Sequence, residues 1–258
     1  MATNNEPLLR IENIAKVFGQ NTALEDVNLE IGRGEVHGLL GDNGAGKSTL
    51  MKILCGLHQP TRGRIFFDGK EVHLHSVTQA RALGIDCVHQ DLALIPQLNV
   101  YHNMFLQRES LHGGPLGILN NRPMRKKARE CLADIGVNIP SVDVPVGRMS
   151  GGQRQAIAVA RSVYSNARLL LLDEPTAAMG AKEGAMILDV INRLRAKGDV
   201  SIIIIAHNYG HVFDVCDRVN LLQNGRITFS RATSETSIQE LTDIVVNEYR
   251  NVAKEAQA

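Results

Sequence analysis

The sequence carries almost no excess charge: 28 Lys and Arg stand against 27 Asp and Glu, a formal net charge of +1 over 258 residues. This balance removes any bulk electrostatic attraction to nucleic acid or to an anionic membrane, so recognition must rest on specific contacts. Cysteine is sparse as well. Cys55, Cys87, Cys131 and Cys216 are scattered with no CxxC spacing, which argues against a disulfide frame or a zinc site and for reduced, inert packing thiols in a cytosolic protein. Long apolar runs are also lacking: the longest purely aliphatic ones, at 169–172 and 202–205, fall far short of the ~18 residues needed to cross a bilayer. Any membrane role must then run through another chain. The opening "MATNNEPLLRIEN" has no basic segment followed by an apolar stretch, so no secretion signal is expected and the chain should stay inside the cell. No internal repeat or low-complexity segment is visible.

What is present is globular, with 44% hydrophobic residues. The short apolar runs "EVHGLLG", "GIDCVHQ", "RLLLLDEP" and "SIIIIAH" each pass into polar residues at their C-terminal ends. Such runs read as buried parallel strands, and open α/β sheets bind ligands at those strand ends. Two hairpins are expected, "RIFFDGKEV" turning at Asp68-Gly69 and "RVNLLQNGRITFS" turning at Asn224-Gly225. The stretch from about Asp91 to Met149 differs, with Pro96, Pro115, Pro123, Pro140, Pro145 and the basic helical segment "MRKKARECLADIGV". It reads as a mostly helical lobe inserted into the α/β core. Ser237-Ile238-Gln239-Glu240 forms a capping-box pattern, and Ile238, Leu241, Val245 and Tyr249 follow at helical spacing, predicting a C-terminal helix docked on the core.

The chemistry sits in three places. "GDNGAGKS" fits G-x-x-x-x-G-K-[ST] between an apolar run and a helical stretch, the context of a phosphate-binding P-loop. There the backbone N–H groups of Gly41, Asp42, Asn43, Gly44, Ala45 and Gly46 turn around phosphate oxygens. Lys47 reaches the β- and γ-phosphates, Ser48 offers its hydroxyl to Mg²⁺, and Thr49 continues the helix start. Asp173 and Glu174 end an apolar strand, the usual second half of such a site. Asp173 would hold Mg²⁺ through water, and Glu174, projecting differently, would polarise an attacking water as general base. In "MSGGQRQAIAVARSVY", Ser150, Gly151 and Gly152 open an amphipathic helix starting near Gln153, a second anion site. One chain thus carries two phosphate-binding helix starts, which is economical if each nucleotide lies between the P-loop of one subunit and the Ser150 helix of another.

This constellation resembles the ATP-binding subunit of ABC transporters over nearly the whole chain. Walker A is "GDNGAGKS", the signature "MSGGQ" and Walker B "LLLLDEP", while Gln90 in "CVHQD" matches the Q-loop, His207 the switch histidine, and Phe18 the aromatic that stacks on adenine. The resemblance implies an α/β fold: a P-loop NTPase (RecA-like) core with an antiparallel β subdomain and an inserted helical subdomain. The ATP-binding domain would span 6–246, with its core at about 6–90 and 165–232 and the helical subdomain at about 91–164, and a C-terminal helix and tail would occupy 233–258. It also implies ATP and Mg²⁺ as ligands, Gln90 on the metal or the lytic water, and His207 on the γ-phosphate while orienting the water or Glu174. A metal pair of His207 with His211 in "HNYGH" is the competing use of that histidine.

Residues 84–109 look like the permease-contacting segment of monosaccharide-importing ABC ATPases. In many of those two halves are fused, whereas this chain holds one, so a homodimer is expected. The implied partners are integral-membrane permease subunits and, indirectly, an extracellular sugar-binding protein, with no nucleic acid and a peripheral location on the cytoplasmic face of the membrane. Fructose-type importers are the nearest likeness, then ribose and xylose types. The rival class, a soluble ABC ATPase acting on nucleic acid or the ribosome, is disfavoured because no long coiled-coil insertion separates Walker A from the signature and no second half follows a charged linker. One departure stands out: Thr176-Ala177-Ala178-Met179-Gly180 occupies the place of the family's Ser-Ala-Leu-Asp loop, with Gly180 where its aspartate would be. That aspartate's role is therefore not carried over.

Overall fold

The fold is described from a computed structural model covering residues 6–112, 117–177 and 179–255. The chain opens with an antiparallel pair, β1 (Leu9–Phe18) and β2 (Asn21–Ile31), and enters β3 (Val36–Leu40), the P-loop and α1 (Lys47–Leu54). A hairpin of β4 (Arg62–Phe67) and β5 (Lys70–Val72), then α2 (Val77–Leu83), leads to β6 (Ile85–Val88). Next come α3 (Val100–Phe105), α4 (Asn121–Asp134) and α5 (Gly151–Tyr164), all between positions 91 and 164. The chain returns through β7 (Leu169–Asp173), α6 (Ala181–Lys197), β8 (Ser201–Ile205), α7 (Tyr209–Val215), β9 (Arg218–Gln223), β10 (Arg226–Ala232) and α8 (Ile238–Glu255).

Two sheets result, a four-stranded one in the order β2-β1-β4-β5 and a six-stranded one in the order β10-β9-β3-β8-β7-β6. All four apolar runs form parallel strands of the larger sheet, as their sequence predicts. Both faces of that sheet are covered, which explains why the runs do not alternate with polar residues. Leu169 and Leu171 face the core shared with the antiparallel sheet and α1. Leu170 and Leu172 face the core shared with α3 to α6. A fully buried Leu is worth about 1.5–3 kcal/mol, so β7 is fixed firmly enough to hold an acid at its end.

Both hairpin turns have positive φ at both central residues: Asp68 at 55° with Gly69 at 73°, and Asn224 at 47° with Gly225 at 77°. That is the turn whose twist matches antiparallel strands, and it explains the Asp-Gly and Asn-Gly pairs. The β1–β2 hairpin is a third, not expected from the sequence. Its strand β2 buries Leu24, Val27, Leu29 and Ile31, whose spacing is broken by bulges in the pairing with β1.

The C-terminal capping box is half formed. Ser237 Oγ accepts from Glu240 N at 3.1 Å, but the Glu240 carboxylate instead pairs with Arg231 at 2.9 Å and Thr236 Oγ1 at 2.8 Å. Leu241 is buried, and Val245 packs partly on the core while Ile238 stays 43% exposed. Pro115, Ala178, the side chain of Tyr249 and residues 256–258 lie outside the described residues. All four cysteines are free; Cys55, just past the end of α1, donates to Lys52 O at 3.6 Å, and Cys87 of β6 lies 3.5 Å from His89 Nδ1.

Candidate functional site

The parallel register brings one edge of the larger sheet to a single line. Leu39 of β3 and Asp173 of β7 both pair with Ile205 of β8, and Val88 of β6 pairs with Leu172. Two residues beyond Val88 comes Gln90, two beyond Leu39 comes Gly41, and two beyond Ile205 comes His207. The P-loop, Gln90, Asp173, Glu174 and His207 thus leave the C-terminal ends of neighbouring strands, where open α/β sheets build sites.

The P-loop is preformed. Gly41 (φ 143°) can carry no side chain, because a Cβ would stand 2.1 Å from Leu222 O. Gly46 (φ 106°) caps α1, and there a Cβ would press on Ala23 O of the β1–β2 hairpin at 2.6 Å. Gly44 also has positive φ (86°), but its Cβ direction is open space: the glycine leaves the cradle clear. Asn43 is exposed beside it, and Ala45 N is tied to Asp42 O at 3.1 Å. Lys47 folds back to donate to Gly41 O at 2.6 Å and Asp42 O at 2.9 Å. Burial lowers its pKa from the usual lysine value, opposed by the charges of Glu174, Asp42 and Asp173. Ser48 is exposed and Thr49 half-buried on the first turn of α1.

Asp173 responds in the opposite sense. Burial first, and the neighbouring Glu174 charge second, raise its carboxyl above the ordinary aspartate value. A half-buried acid near a buried lysine is a place where added cationic and anionic ligand charge relieves both penalties. Glu174 lies at φ 50°, a left-handed conformation rare outside glycine. The turn lets Glu174 N donate to Ile205 O at 3.0 Å while its side chain swings to His207, whose Nε2 lies 2.7 Å from Glu174 Oε1. His211 does not join His207. Asn208 caps α7, leaving His207 ahead of the helix, and His211 Nδ1 instead meets Thr176 Oγ1 at 3.2 Å. No cluster of three or more metal-ligating His, Cys, Asp or Glu occurs among the described residues.

Ser150, Gly151, Gly152 and Gln153 are organised separately. Ser150 Oγ accepts from Gln153 N at 3.3 Å and Gln153 Oε1 accepts from Ser150 N at 3.0 Å, a complete capping box that starts α5 at Gly151 rather than near Gln153. Gln153 Nε2 also donates to Asn138 O at 3.4 Å, and a Cβ on Gly152 would meet Met186 and Glu183 of α6. Phe18 ends β1 with 43% exposure. Lys16 Nζ lies 4.9 Å from its ring centroid, and the His58 ring stands edge-on at 5.4 Å. His58 belongs to no motif, and the sequence gives no signal for it.

Comparison with known proteins agrees with this geometry. The family model described as "ABC transporter" matches residues 24–177. The xylose/arabinose import ATP-binding protein XylG of Sulfolobus acidocaldarius is 44% identical over 93% of this chain and 94% of its own length. The ribose import ATP-binding protein RbsA of Bacillus cereus is 39% identical over 92% of this chain but 48% of its own length, so the chain spans about half of that relative. Among solved structures, cbiO1 of Clostridium perfringens, part of an ABC transporter complex, superposes with a TM-score of 0.78 at 27% identity, covering 98% of this chain and all of the other. A dimeric ATP-binding cassette in a post-hydrolysis state with ADP and Pi gives 0.72 at 26% identity, covering 87% of this chain and 98% of that one. With a P-loop, a paired acid and histidine and this sheet order in one chain, and relatives aligned along almost all of it, the protein belongs to the ABC transporter family of ATPases.

Proposed function

We propose that this chain hydrolyses ATP at the sheet edge to drive import of a monosaccharide through a separate membrane permease. The observation that carries the catalytic part is the 2.7 Å contact between His207 and Glu174, beside a preformed P-loop. Lys47 and the P-loop amides bind the phosphates, and Phe18 stacks on the base. Glu174 takes the proton of the attacking water, while His207 orients that carboxylate and the γ-phosphate. The oxygen donors Ser48, Asp173 and Gln90 suit Mg²⁺, which supplies charge neutralisation on the phosphoryl oxygens. The left-handed Glu174 backbone is affordable because both its amide and its carboxylate are satisfied in that geometry.

Ser150 to Gln153 form a capped helix start suited to anion binding, separate in sequence from the P-loop, which supports a head-to-tail homodimer with two shared sites. A dimeric cassette among the structural neighbours supports a dimer. No helix among the described residues is long and apolar enough to cross a membrane, so the translocation path is assigned to permease subunits, with this chain peripheral on their cytoplasmic side. An extracellular binding protein would deliver the sugar. For the sugar, the named relatives favour xylose, arabinose or ribose over fructose, the first expectation from sequence.

The test is ATPase activity in proteoliposomes with the co-purifying permease, adding binding proteins loaded with each sugar. Stimulation by one loaded binding protein is the expected result. ATPase activity stimulated by nucleic acid or ribosomes, and by no sugar, would overturn the import reading.

A further inference from the structure

Between Thr176 and α6 the sequence offers no polar side chain, since Ala177, Ala178, Met179 and Gly180 carry none, and Gly180 starts α6 without a side-chain cap. The last polar side chain before α6 is Thr176, and it meets His211 Nδ1 at 3.2 Å. His211 is itself fixed, since its backbone N–H donates to the Asn208 side chain at 3.3 Å at the start of α7. Thr176 is fixed from the other side by a tight turn in which Ala177 N donates to Glu174 O at 3.0 Å, with Pro175 buried inside it.

Two side-chain bonds therefore join the same two segments, Glu174 to His207 and Thr176 to His211. The first uses the reacting carboxylate, which must be free to exchange partners as water and phosphate enter. The second touches neither and can persist throughout. We infer that the Thr176–His211 hydrogen bond is a positioning element for hydrolysis, holding the left-handed Glu174 turn against the His207 segment when the Glu174–His207 contact opens. His211 and Thr176 are positioning residues, acting through Glu174 and His207. This rests on Glu174 and His207 being the hydrolytic pair.

The test is steady-state ATPase activity and nucleotide binding of the full-length chain carrying His211→Ala, Thr176→Val, both together, or Thr176→Ser. Each of the first two should lower kcat about tenfold, the size of one lost hydrogen bond of about 1–1.5 kcal/mol, with nucleotide affinity unchanged. The double variant should be no slower than the slower single one, because both remove the same bond. Thr176→Ser keeps the hydroxyl and should stay within about twofold of the parent. The inference is overturned if the two losses multiply, if either variant keeps full kcat, if Thr176→Ser is as slow as Thr176→Val, or if the loss lies in nucleotide affinity. If His211→Ala does not fold, the valine and serine variants at Thr176 decide the matter alone. A Glu174→Gln variant that hydrolyses normally would refute the underlying pair instead, whatever the Thr176 variants do.

Discussion

The strand-end site and the Ser150 helix start are built from similar parts with different completeness. At the sheet edge, charged side chains find their partners within the chain: Lys47 with two carbonyls and Glu174 with His207. At α5, the capping box completes the helix start, and the neighbouring glycines face α6. The first arrangement concentrates unlike charges where burial shifts both Lys47 and Asp173 away from their ordinary pKa values. The second is held by its own cap, with Arg154 donating back to Met149 O at 2.8 Å. The difference separates a place that shifts its ionisable groups through burial from one whose polar groups are satisfied locally.

Four experiments would break or sharpen that comparison. Glu174→Gln is expected to have the largest effect, lowering kcat about 100-fold or more, the low end of what a general base supplies, while ATP binding persists; single-turnover assays beside equilibrium binding would separate the two. Lys47→Ala should weaken nucleotide affinity about 10- to 100-fold, since hydrogen bonds to charged groups contribute about 1.5–3 kcal/mol; unchanged affinity in a titration would remove Lys47 from the phosphate site. Ser150→Ala should reduce hydrolysis about tenfold and cost about 1 kcal/mol of stability through the lost cap, yet leave ATP binding to the monomer intact. A mutant monomer that fails to bind ATP would place Ser150 in its own chain's site.

The smallest effect concerns stability. Because the Asp173 pKa is raised by folding, its contribution is favourable below the ordinary aspartate pKa and is lost as pH rises through the raised value. Above that raised value the ionised Asp173 therefore destabilises the ligand-free protein. Asp173→Asn should melt higher than the parent there, and the gain should shrink as pH falls through the acid range. Equal melting temperatures above that value would show that burial imposes no cost on this carboxylate.

The parallel strands were legible because each is a short run of apolar residues, a local property that needs no knowledge of its neighbours. The two-residue turns at Asp68-Gly69 and Asn224-Gly225 were legible for the same reason. The β1–β2 hairpin was not, because bulges between Ile11 and Val17 break the simple alternation. The spacing of His207 and His211 suggested a shared helical face, but Asn208 starts the helix between them and sends their rings to different partners.

The sequence by itself determined where the candidate site residues sit: a glycine-rich loop ending in Lys47 and Ser48, two acids after four leucines, and a serine-glycine helix start. Those are properties of consecutive residues. Only the tertiary structure decided that β7 and β8 lie side by side, with Asp173 paired to Ile205, and hence that Glu174 meets His207 and Thr176 meets His211. Strand order is set by burial summed over both faces of the sheet, a sum over the whole chain that no single stretch encodes.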